Sequence, residues 1–150
     1  MLLDTKGRLV LCQHGDRRMA RMNAPFDAPA ANFETIAATW EEKRFNSPND
    51  AVFSSNGKLY ITDPAYGMEL RYEDPRKEMD YTGVFLITPG GEVSLQTDKL
   101  SAPNGIGFSP DGEHLGIIRT GQATSNCTLD AENRYLYMTA NIYLMRIRLR

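Results

Sequence analysis

The sequence predicts an all-β protein assembled from blades of a β-propeller, and three observations carry that reading. A short unit recurs: Asn49-Asp50-Ala51-Val52-Phe53-Ser54-Ser55-Asn56-Gly57 and Asn104-Gly105-Ile106-Gly107-Phe108-Ser109-Pro110-Asp111-Gly112 each place a glycine eight residues after an asparagine. The spacing is near fifty, since Asn104 follows Asn49 by 55 residues and Gly57 follows Gly7 by 50. Short alternating segments punctuated by turn residues fill the interval, with no long amphipathic helix. A period of that size with strand-like content marks a propeller or a similar array, and four antiparallel strands make one blade.

Residues 1–45 read as a partial blade with strands over 8–14, 17–23 and 32–39. The asparagine matching Asn49 falls before Met1, so the repeat register predicts that the chain begins inside a unit. Residues 46–100 read as a complete blade, with strands over 49–54, 58–63, 83–88 and 92–98. Its turns, Ser55-Asn56-Gly57 and Pro89-Gly90-Gly91, carry the glycines that tight hairpins need. Residues 64–81 form a long charged excursion between its second and third strands, open to two readings, a solvated loop or a lid. Residues 101–120 read as a hybrid blade with a strand over 104–109 and an ambiguous stretch over 113–119. Residues 121–150 read as the last blade, with strands over 126–130, 134–140 and 143–148. There the spacing breaks: Asn126 follows Asn104 by only 22 residues, which predicts that part of a unit is missing.

Composition narrows the function. The chain has 150 residues, 41% hydrophobic content and a net charge of −2, as expected of a soluble globular domain. It has no basic stripe of the kind nucleic acid demands. Arg146, Arg148 and Arg150 alternate with Ile147 and Leu149, as on the wet face of a strand. No apolar run approaches the roughly 18 residues that span a bilayer. Cys12 and Cys127 have neither metal-site spacing nor a disulfide framework, and read as buried free thiols. No signal-peptide pattern opens the sequence, which leaves the compartment open between cytoplasm and periplasm.

The asparagines are the candidate functional groups. Asparagine suits turn geometry, so each Pro-Asn step has a purely structural reading. In a propeller, however, the first strand of every blade lines the central channel, and Asn49, Asn104 and Asn126 would converge at one mouth. Carboxamide oxygens supplemented by carboxylates suit a hard cation. Spacing alone leaves both readings open.

Cys12-Gln13-His14-Gly15-Asp16-Arg17-Arg18, Arg44-Phe45-Asn46-Ser47-Pro48-Asn49-Asp50, Tyr60-Ile61-Thr62-Asp63-Pro64-Ala65-Tyr66-Gly67 and Ala102-Pro103-Asn104-Gly105 through Gly112 resemble the bacterial gluconolactonases. These belong to the gluconolactonase/regucalcin-like family of six-bladed propellers. Gly121 through Cys127 and Tyr135 through Ala140 resemble the family's last blade, so the likeness covers nearly the whole chain. The resemblance implies about three blades of a six-bladed architecture. It also implies a sugar-lactone hydrolase assisted by Ca²⁺ or another divalent cation, with a small sugar lactone as substrate. By position, Asn104 matches a metal-ligating asparagine and Asn49 a substrate-contacting one. Asp63 and His14, in family-like motifs at the ends of second strands, are further candidate substrate-binding groups. Asp63 before Pro64 also reads as a turn cap, and His14 as a structural histidine.

The departures define the alternatives. The family's glutamate ligand near the start of the domain, and its aspartate in a Pro-Asp-Gly-Met segment, have no counterpart here. Asp111 sits in a turn away from the channel mouth and is not assigned as a ligand, so the catalytic acid is unassigned. One Ser109-Pro110-Asp111-Gly112 turn resembles two different family turns, which predicts a deletion junction there. Two alternatives to the hydrolase follow: an inactive propeller remnant serving as an interaction or structural module, and a weak calcium binder. Open blade edges predict self-association.

Overall fold

The computed structural model describes residues 1–109 and 124–149. Two four-stranded antiparallel meanders and one three-stranded meander form the body of this partial β-propeller. The first sheet comprises β1 (Leu2–Leu3), β2 (Arg8–Gln13), β3 (Arg18–Pro25) and β4 (Phe33–Ala37) in sequence order. Its inner strand is short but present, pairing Leu2 with Val10 and Leu3 with Leu9. Asp4 closes the first turn, its Oδ1 accepting the N–H groups of Lys6 and Arg8, both at 2.9 Å. A small hairpin, β5 (Thr39–Trp40) and β6 (Lys43–Arg44), leads into the middle sheet.

That sheet comprises β7 (Asp50–Phe53), β8 (Leu59–Asp63), β9 (Gly83–Ile87) and β10 (Val93–Thr97), again a simple meander. Its four strands fall where the alternation of apolar residues places them. Gly57 and Gly91 take positive φ in its two tight turns, at 80° and 88°. The last sheet comprises β11 (Thr124–Leu129), β12 (Tyr135–Ala140) and β13 (Tyr143–Arg148). Its hairpins turn on Asn133 and Asn141, both in the left-handed region that asparagine enters at low cost.

The core lies between the first two sheets. Val10 and Met19 from one side meet Ile61, Phe85 and Ile87 from the other, all at most 1% exposed. Phe45 arrives from the connecting segment and sets its ring 5.2 Å from that of Phe85. Burying each of these large side chains stabilises the chain by about 1.5–3 kcal/mol, which binds the two sheets into one body.

The excursion between β8 and β9 carries a single 3-10 turn, Arg71–Glu73. It is pinned rather than loose: Met68 and Met79 are buried, and Asp74 is 4% exposed while accepting from Leu70 N–H and Arg76 N–H. Two hydrogen bonds from Arg76 hold the Asp74 carboxyl well below the usual carboxylate range, despite the opposing effect of its burial.

One predicted strand is not a strand. Residues 103–109 run without strand pairing, and side chains of the middle sheet take up their backbone groups. Thr62 donates to the Asn104 carbonyl at 2.7 Å, and the Asp50 carboxylate accepts the Ile106 N–H at 3.1 Å. A strand needs a ladder neighbour, and the partner expected over 113–119 lies outside the described residues. So do Asp111 and the proposed junction.

Candidate functional site

The site is built from backbone positions that flank β7 and β8. β7 pairs antiparallel with β8, so the residue entering β7 and the residue ending β8 share one end of the sheet: Asp50 faces Thr62. Asn49 sits just outside that pair, its N–H donating to the Thr62 carbonyl at 2.8 Å. Thr62 Oγ1 also accepts the Asp50 N–H at 3.1 Å while donating to the Asn104 carbonyl. One buried threonine thereby ties the backbones at Asn49, Asp50 and Asn104 together. The carboxamides of Asn49 and Asn104 are left half-buried and unengaged among the described contacts.

Asp63 lies next along β8 and is fully buried. Its Oδ2 accepts the Asn46 N–H at 2.7 Å and its Oδ1 the Ser47 N–H at 2.8 Å. Burial pushes its carboxyl up to about 7, against the pull of those two donors and of Arg17. With both oxygens occupied, Asp63 clamps the segment that leads to Asn49, which is the turn-cap reading of this residue. Ser47 extends the clamp: its hydroxyl donates to the Pro64 carbonyl at 2.7 Å and accepts the Gly67 N–H at 2.9 Å.

Gly67 in turn crosses His14. A Cβ at Gly67 would stand 2.6 Å from His14 Cβ, so a side chain there collides with the histidine at the end of β2. Burial holds the His14 imidazole below its ordinary pKa, favouring the neutral ring. Ser47 and Gly67 thus link Asp63 to His14, and Thr62 links Asn49 to Asn104.

Sequence reasoning passed over Arg17 and Asp50. Arg17 is 8% exposed and holds a φ of 55°, a costly conformation for a non-glycine residue. Its guanidinium donates to the carbonyls of Phe45 (2.7 Å), Asn46 (3.2 Å) and Arg76 (2.8 Å). It therefore fastens the segment before Asn49 to the excursion. The available signal was the Arg17-Arg18 pair inside a motif, where only one arginine is needed for a solvated face. Asp50 follows Asn49 directly, and its position in the repeat was the missed signal.

A cavity of about 450 Å³ opens beside Asp50, lined also by Ile106, Asn126, Thr128, Tyr137 and Thr139. The third asparagine of the repeat therefore does reach this region. Gly105 makes that approach: a Cβ there would stand 2.5 Å from Asn126 Cα. Asn49, Asn104, Asp63 and His14 do not line this cavity.

The donor set bears on a metal. Among the described residues no three His, Cys, Asp or Glu side chains gather to hold an ion. Asn49 and Asn104 offer neutral carboxamides, and the carboxylate of the adjacent Asp50 already accepts the Ile106 N–H. Hard divalent cations draw their affinity from charged oxygens. The described residues alone do not fit such an ion.

Residues 1–120 match the SMP-30/Gluconolactonase/LRE-like region. The chain belongs to this family. Over 126 residues, 84% of the chain, it is 35% identical to a gluconolactonase of Zymomonas mobilis, and it spans 34% of that protein. A structure provisionally described as a gluconolactonase superposes with a TM-score of 0.80 at 25% identity, over 97% of this chain and 58% of the other. A gluconolactonase structure from Xanthomonas campestris superposes with a TM-score of 0.66 at 21% identity, over 99% of this chain and 70% of the other, and attests to the fold. The chain spans about a third of the length of its curated relative. No helix among the described residues is long and apolar enough to cross a membrane.

Proposed function

We propose that this chain carries part of a sugar-lactone hydrolase site, opening the ester of a small lactone to the aldonic acid. The observation that supports the reading is the tie through Thr62, which bonds the backbone N–H groups of Asn49 and Asp50 and the backbone carbonyl of Asn104. In the reaction a water oxygen adds to the lactone carbonyl carbon. The ring C–O bond then breaks, and the water's proton passes to the departing ring oxygen. Carboxamide N–H groups aimed at the carbonyl oxygen stabilise the charge that develops there. Asp50 is the one carboxylate among the described residues lining the adjoining cavity, and in this reading it takes the water's proton.

A divalent cation, calcium first, would polarise the carbonyl and lower the pKa of the attacking water. At Asn104 it would need carboxylate ligands beyond the described residues. That same shortfall favours a second reading, a catalytically silent module that keeps the family's fold.

Hydrolysis of glucono-1,5-lactone, followed with a pH indicator with and without Ca²⁺ and a chelator, separates the readings. Turnover that falls at least tenfold in Asn104→Ala and Asn49→Ala, with the fold intact by circular dichroism, supports the hydrolase. Chelator sensitivity adds the cation. A folded chain with no turnover above buffer supports the silent module.

A further inference from the structure

Two Asn-Gly steps occur in the chain, Asn56-Gly57 and Asn104-Gly105. In such a step no Cβ on the glycine shields its nitrogen from the asparagine side-chain carbonyl carbon. The fold treats the two steps differently. At the first, both reacting groups are tied. Asn56 Oδ1 accepts the Ser54 hydroxyl at 2.7 Å and the Lys58 N–H at 3.4 Å, and the Gly57 N–H donates to the Ser54 carbonyl at 2.9 Å. At the second, neither the Asn104 carboxamide nor the Gly105 N–H has a partner among the described contacts, and both residues are half-buried.

We propose that Asn104-Gly105 is a self-modification site, at which the folded chain converts Asn104 to aspartate and isoaspartate through a cyclic imide. The Gly105 nitrogen attacks the Asn104 Cγ, the Cγ–Nδ2 bond breaks, and ammonia leaves carrying the Gly105 proton. Water then adds to either carbonyl carbon of the imide and opens it to one of the two products. Nothing is oxidised or reduced, and water is the one co-reactant. The conversion replaces a carboxamide by a carboxylate at the position that matches the family's metal-ligating asparagine. It also makes the chain one charge more negative than its −2. This chemistry is independent of lactone hydrolysis.

Thr62 promotes the attack. As the Gly105 nitrogen gives up its proton, negative charge is shared with the Asn104 carbonyl oxygen of the same peptide group. That oxygen accepts the Thr62 hydroxyl at 2.7 Å. Thr62 is 2% exposed, so its donor faces little competition from water and is already aimed at the atom where charge develops. The same bond fixes the peptide group that must be attacked from within its own residue, and fixed geometry speeds an intramolecular step. The Asn56 carbonyl has no such donor among the described contacts.

Peptide mapping by mass spectrometry of the full chain, held folded at neutral pH, tests the proposal. Asn104 should gain one mass unit at least about tenfold faster than Asn56. In water enriched in oxygen-18 each converted residue should carry one heavy oxygen. In urea the two rates should converge to within about twofold, because the preference comes from the fold. Equal rates in the folded chain, a faster Asn56 or no conversion at Asn104 overturns the proposal. So does a preference that persists unchanged in urea, since sequence would then set it. Thr62→Val, folded by circular dichroism, should slow Asn104 at least about threefold without moving Asn56, and Thr62→Ser should restore the rate. A rate that Thr62→Val leaves unchanged or raises overturns the part assigned to the hydroxyl. The comparison of the two steps in the parent chain stands even if the valine variant does not fold.

Discussion

Thr62 holds Asn104 in place: its hydroxyl donates to the Asn104 carbonyl oxygen at 2.7 Å, although 42 residues separate the two in sequence. Thr62 is 2% exposed, so water does not compete for this bond. Its carbonyl meanwhile receives the Asn49 N–H. Replacing Thr62 by valine keeps the shape and removes the hydroxyl. It leaves the Asn104 carbonyl and the Asp50 N–H without this partner. A loss of about 1–3 kcal/mol is expected. A urea midpoint that falls while the slope is unchanged checks it, and an unmoved midpoint counts against the tie.

Gly105 and Gly107 form a matched pair. Alanine at 105 would place its Cβ 2.5 Å from the Asn126 Cα, a backbone atom that cannot swing aside. At 107 the nearest atom is the Cys127 Sγ at 3.8 Å, an ordinary contact. Gly105→Ala should therefore destabilise by about 1–3 kcal/mol and Gly107→Ala by well under that. Thermal melts of the two variants compare them directly. Equal melting temperatures would show that β11 does not press on Gly105.

Arg17 supports the same end of the molecule from behind. Arg17→Ala strands the carbonyls it serves on Phe45 and Asn46, within the buried segment that leads to Asn49. Lysine keeps the charge but cannot reach several carbonyls from one planar fork. Both variants should lose about 3 kcal/mol or more, lysine rescuing little. Full rescue by lysine in chemical denaturation would mean that charge alone matters.

Asp63 gives stability a pH dependence of defined sign. Burial raises its folded pKa to about 7, above the ordinary aspartate value of about 4. Its contribution is thus fully present below about pH 4 and is lost as pH rises through about 7. Denaturation midpoints measured from pH 4 to pH 8 should fall over that window. In Asp63→Asn, a less stable protein because an amide cannot accept both backbone N–H groups, the Asp63 component of the slope should vanish. A variant slope identical to the parent's would reject this assignment.

Much of the fold was legible in the chain. The middle sheet follows from alternation and glycine turns, since both are local properties of backbone sterics. So does the 143–148 strand. The strand expected over 104–109 was not, because a strand exists only with a ladder partner, and the side chains of Thr62 and Asp50 replace one there. The excursion over 64–81 was open to two readings. Only packing showed it pinned through buried Met68, Met79 and Asp74. The tie through Thr62 was illegible for a similar reason, as an unremarkable threonine in a strand gives no sign of what will lie beside it.

By itself the sequence determined the repeat, the all-β class and the asparagines that recur at its start. These are periodic and local features, set by residue chemistry at fixed spacing. Tertiary structure decided which polar side chains are spent on holding the fold. Asp63, open in the sequence to a pocket and a turn-cap reading, has both its oxygens taken by backbone donors in the folded chain. The backbones of Asn49 and Asn104 were brought together by one threonine, through its carbonyl and its hydroxyl. Contacts across tens of residues depend on how the sheets pack, and a local pattern carries no record of them.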